Sequence, residues 1–107
     1  MSEQSDLNDK TLNAFRRVEQ HFHHVEDYRR QGSIKHKLIH IIFFTLCAVT
    51  AGANDLVAVS AWTEANANWL RDLFKLKYGV PSLSTFRITF MLLNPESLSK
   101  CFLDKAY

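Results

Sequence analysis

The chain is poor in the residues that interrupt helices. Its 107 residues include three glycines and two prolines, too few for the frequent turns of a β-rich architecture. Cysteine is scarce as well. Cys47 and Cys101 are the two present, and without a close cysteine pair neither a disulfide framework nor a cysteine-built zinc site has its material. The polar, acidic N-terminus lacks the basic-then-apolar order of a secretory leader. The expectation is a reduced, cytoplasmic protein in which both thiols act as small hydrophobes. Excess charge is also small. A net +2 does not by itself imply a polyanionic partner.

Long apolar runs are limited to one, residues 38–53, reading LIHIIFFTLCAVTAGA. At about 1.5 Å per residue a helix of that length spans roughly 24 Å, short of the roughly 30 Å of a bilayer core. His40, Thr45, Thr50 and Gly52 dilute it further. The run is apolar on nearly every side, which suits a helix enclosed by protein. It is expected to be the buried central helix, and no membrane partner is expected.

The remaining pattern is helical throughout. Residues 1–8 are polar and expected to be disordered, leaving a single domain over 9–107. Leu12, Phe15, Val18, Phe22 and Val25 recur every three or four positions after a cap at Asn8 or Asp9. Gly32 and Ser33 break that helix and leave Arg29 and Arg30 in a loop. After the central run, Asn54 or Asp55 caps a third helix with Leu56, Val59, Trp62 and Thr63 inward. Residues 66–76 continue it or restart after a kink, burying Trp69, Leu70, Leu73 and Phe74, with Arg71, Lys75 and Lys77 on the polar side. Gly79 and Pro81 stop it. Ser82 or Ser84 starts a helix carrying Phe86, Phe90 and Leu93, and Asn94-Pro95-Glu96 starts a last one with Leu98, Cys101 and Phe102 inward. The fold class predicted is all-α, a compact bundle of five or six helices with room for a helix-turn-helix-like unit.

Few of these residues suit catalysis. His36 and His40 share a helix face, and His21, His23 and His24 cluster, but a zinc ion needs three or four ligands at defined spacing. No metal and no other cofactor is expected. Cys47 has no basic neighbour in sequence, Cys101 has only Lys100 beside it, and no glycine-rich phosphate loop or nucleophile elbow occurs. Asp55, Glu64, Asp72 and Glu96 stand scattered at helix starts and on polar faces. The chain is not expected to be an enzyme by itself or to bind a small-molecule substrate.

Basic residues are better candidates. Arg29, Arg30, Lys35, His36 and Lys37 precede the central run, a local patch that can neutralise phosphates, or simply a solvated helix end. A second candidate is the helix after the Gly79-Val80-Pro81 turn, whose first residues include Ser84, Thr85 and Arg87. Recognition helices reach DNA with such N-terminal side chains, although a capped surface helix looks the same.

Several spaced motifs, in order, resemble the N-terminal domain associated with DDE transposases of the ISAs-type insertion sequences, which include the H-repeat-associated proteins. The matching residues are Asp27 and Arg29, His36 and Leu38, Ala51-Gly52-Ala53, Trp69-Leu70, Gly79-Val80-Pro81-Ser82, Thr85-Phe86, Asn94-Pro95 and Phe102. They cover the chain from about Val25 onward. Tyr28, His40, Ser84 and Ile88 depart from the family pattern, which has Pro, an acid, Asp and Arg there. The resemblance implies a non-catalytic transposase module that stops before the domain carrying the metal-binding acids, with insertion-sequence ends as its DNA partner. The alternative is a helical protein-interaction module working by self-association, which Trp62, Trp69 and Phe74 exposed together would favour.

Overall fold

The computed structural model describes residues 3–23 and 36–92. Among them lie five helices, α1 (Glu3–Phe22), α2 (Leu38–Thr50), α3 (Leu56–Ala65), α4 (Ala67–Phe74) and α5 (Leu83–Leu92), and no strand. The fold is an all-α bundle. The expected last helix and the Arg29–Arg30 loop lie outside the described residues.

Helix α2 is the centre of the bundle. Ile41, Ile42, Phe43 and Phe44 are consecutive and all buried. Successive helical residues point about 100° apart, so four in a row sweep roughly 300° of the helix surface. Only a helix with protein on nearly every side can bury all four. Helices α1, α3 and α5 supply that protein. Among the described residues no helix is long and apolar enough to cross a membrane.

The helix ends follow local chemistry. At the end of α2, Gly52 N–H donates to Val49 O at 3.0 Å and Ala53 N–H to Ala48 O at 2.9 Å. This is the paired closure of a Schellman motif, and Gly52 takes the positive φ of 111° that it requires. Asp55 then caps α3 by accepting from Ala58 N–H at 2.8 Å. One residue, Asn66, separates α3 from α4, the restart that the sequence left open. Ser82 Oγ accepts from Thr85 N–H at 3.3 Å and opens α5.

Two expectations are corrected. Helix α1 begins at Glu3, so residues 3–8, expected to be disordered, are helical. Asp6 and Lys10 pair at i,i+4, and Asn8, expected as a cap, instead uses its Oδ1 to accept from Gln4 Nε2 at 2.9 Å and from the Trp69 indole at 2.8 Å. The long-range bond ties α1 to α4 and holds the early turns in place. The helix-turn-helix-like unit is also absent around Gly79. Residues 75–82 are too long for its three- or four-residue turn, and α5 packs on α3 and α2 with at most marginal contact to α4.

Candidate functional site

Phe74, the last residue of α4, docks over the first turn of α2. Its ring lies 4.9 Å from Phe15 of α1, and 5.4, 5.8 and 5.5 Å from His40, Phe43 and Phe44 of α2. Aromatic pairs at these spacings add about 0.5–1.5 kcal/mol each beyond burial. The contact fixes where the chain leaves α4. Lys75 follows in the left-handed region at φ 54°, ψ 51°, which turns the backbone sharply at the C-cap. Lysine has no intrinsic preference for that conformation, unlike glycine or asparagine.

The turn brings Lys75, Lys77 and Tyr78 against His36, Lys37 and His40. Together they line a cleft of about 200 Å³, with Phe74 also in its wall. That volume is below the roughly 300–1,000 Å³ of small-molecule pockets. All three lysines are exposed, and among the described residues no carboxylate lines the cleft. Among the described residues none of the three makes an ion pair. The Lys77 ammonium lies 5.4 Å over the Tyr78 ring, a cation–π distance.

The start of α2 adds to this field. Lys37 is its N-cap, no side chain caps it, and its first turn has no acid. A helix N-terminus carries partial positive charge and favours anions by about 0.3–1 kcal/mol. A lysine there is locally unfavourable, and so is the lack of a capping oxygen. An anion in the cleft would relieve both. The arrangement can hold a phosphate or carboxylate.

His40 explains itself in three dimensions. Its ring stacks on Phe44 at 5.9 Å and 6°, and lies 5.3 Å from Phe15 and 5.4 Å from Phe74. Burial, reinforced by the charge of Lys37 and by His36, pushes its pKa down from 6.5 to about 4. It is a neutral aromatic at the cleft floor. Cys47 is half-buried and burial pushes its thiol up to about 11, which leaves it unreactive.

Of the residues expected to contact DNA, Arg29, Arg30 and Lys35 lie outside the described residues. His36, half-buried, and Lys37 line the cleft. Ser84 and Arg87 are exposed on α5, on a different part of the surface that the cleft does not include. Thr85 is half-buried, and its hydroxyl lies 3.3 Å from Ser82 Oγ inside the helix cap. Lys75, Lys77 and Tyr78 were missed as site residues. The only signal for them was a Lys-Leu-Lys-Tyr flank after an apolar helix, which says nothing of its neighbours.

Known proteins resemble this chain over most of its length. An uncharacterized protein from the dhlA 3′ region of Xanthobacter autotrophicus is 37% identical over 86 residues, 79% of this chain and 29% of its own. The Escherichia coli K12 protein named "H repeat-associated putative transposase YhhI" is 25% identical over 89 residues, 83% of this chain and 24% of its own. "Inactive transposase YbfQ" from the same strain is 27% identical over 66 residues, 62% of this chain and 79% of its own. The chain spans less than a third of the length of the first two of these relatives. No solved structure matches it. The sequence pattern of the DDE_Tnp_1-associated family covers residues 19–105, and the chain belongs to that family.

Proposed function

We propose that this chain is a DNA-associated module of an insertion-sequence transposase, without catalysis of its own, that holds backbone phosphates at the basic cleft. The carrying observation is the convergence of Lys37, Lys75 and Lys77 around a cleft that no carboxylate among the described residues lines. Like charges held together repel one another, and phosphates are the partner that turns this cost into binding. Arg29, Arg30 and Lys35 precede the cleft residues in sequence and add to the basic character of that segment. The family membership supports the reading because its relatives carry transposase names.

A salt titration of binding to duplex carrying element ends tests it. Removing one lysine–phosphate pair flattens the slope of log affinity against log salt by about 0.9. The variant Lys37→Gln/Lys75→Gln/Lys77→Gln is expected to bind more weakly, with a slope flatter by about two to three times that amount. No binding at low salt, or an unchanged slope in the variant, overturns the reading.

A second reading, self-association, rests on α5. Ile88 is 51% and Met91 73% exposed on the same face as Ser84 and Arg87. The aromatic patch first considered for this role does not exist, because Trp62, Trp69 and Phe74 pack against the core. Sedimentation decides it: a strict monomer at high concentration removes this reading.

A further inference from the structure

The cleft contains more than a duplex backbone needs. Phosphates on the outside of a double helix are met by exposed lysines on an open surface. Here the lysines rim a small recess with aromatic walls: Tyr78, 55% exposed, at the mouth, and Phe74 and the neutral His40 ring further in. A paired base cannot enter such a recess, since it is stacked and hydrogen-bonded within the duplex. A base without a pairing partner has a π-face to offer, and aromatic side chains beside basic ones are the recurrent platform for it. Lys77 and Tyr78 are adjacent, with the ammonium 5.4 Å over the ring, so a phosphate contact and a stacking contact lie within one nucleotide's reach. The recess, about 200 Å³, suits one planar ring rather than a larger ligand.

We propose that the cleft receives a single unpaired nucleotide of DNA, its base against Tyr78 and the inner rings and its phosphate among Lys37, Lys75 and Lys77. The proposal rests on the reading that this edge of the chain binds DNA, and it adds the form of DNA preferred. Stacking is tolerant of base identity, so the preference is for strand state and not for sequence.

The test is fluorescence anisotropy of the full chain with three labelled DNAs of equal phosphate number at one low salt concentration. They are a blunt duplex, a duplex with a short unpaired end, and the same end made abasic. The unpaired end is expected to bind about tenfold tighter than the blunt duplex, and the abasic end to fall back to the blunt value. Tyr78→Ala is expected to abolish the preference while keeping the salt slope, and Tyr78→Phe to retain it. Because the abasic arm uses the unaltered protein, the outcome does not depend on whether a variant folds. Equal affinity for all three DNAs, or a preference that survives Tyr78→Ala, overturns the proposal. If lysine-dependent duplex binding remains in that case, the proposal alone falls. If no DNA binds, the proposed function falls with it.

Discussion

Replacing His40 by phenylalanine isolates a histidine whose titration is coupled to the core. In the folded chain its pKa is about 4, against an ordinary 6.5. The folded state therefore binds fewer protons than the unfolded state between these values, and acid favours unfolding. The contribution is fully present above pH 6.5 and is lost as pH falls toward 4. At about 1.36 kcal/mol per pKa unit, the whole shift corresponds to about 3 kcal/mol. The ring is half-buried and borders an open cleft, so solvent screening reduces this to about 1–2 kcal/mol. Phenylalanine keeps the stack on Phe44 and the contacts to Phe15 and Phe74, and it does not titrate.

The assay is thermal unfolding of both proteins by circular dichroism from pH 7.5 down to pH 4.5. The two proteins differ at this one side chain, so the difference between the curves isolates His40. His36 and Lys37 couple to it directly, and they lose a neighbouring charge only at the acid end. The His40→Phe variant is expected to match the parent or slightly exceed it near pH 7.5. Near pH 4.5 it should lead by about 1–2 kcal/mol, or roughly 4–15 °C in Tm for a domain of this size. A difference that stays flat across that range refutes the argument that burial among aromatics keeps His40 neutral.

Two further outcomes follow from the backbone and the core. Lys75→Gly relieves the left-handed conformation at φ 54°, so denaturant unfolding is expected to show a gain of about 0.5–1 kcal/mol while DNA affinity falls; a loss of stability would show that Lys75 is unstrained. Thr89 is 1% exposed, and its hydroxyl has no hydrogen-bond partner among the described residues. Thr89→Val is therefore expected to raise stability by about 1 kcal/mol in the same assay, and a loss instead would reveal a partner for that hydroxyl.

The two patches considered for DNA separate on physical grounds. On α5 the exposed face mixes Ser84 and Arg87 with Ile88 and Met91, and large apolar side chains beside a single arginine are a weak match for a phosphate backbone. At the cleft, positive charge is gathered from two distant segments and meets aromatic rings. The strain at Lys75 and the missing cap on α2 fall at the same place. Local rules broken together at one surface point are expected at functional sites.

What the sequence determined by itself was the all-α class and the identity of the central helix. A run apolar on every side has no stable place except inside other helices, and α2 buries Ile41 through Phe44 accordingly. The caps at Asp55 and Ser82 were likewise local, set by side chains within three residues of the backbone they bond. What only the tertiary structure decided depends on pairs far apart in the chain. The early start of α1 hangs on Asn8 meeting Trp69, 61 positions away. The neutral state of His40 depends on Phe15 and Phe74 arriving from other helices. The cleft exists because Phe74 docks on α2 and carries Lys75 and Lys77 to Lys37. Charge patterns along a sequence show which residues are basic, but packing alone determines which of them share a surface.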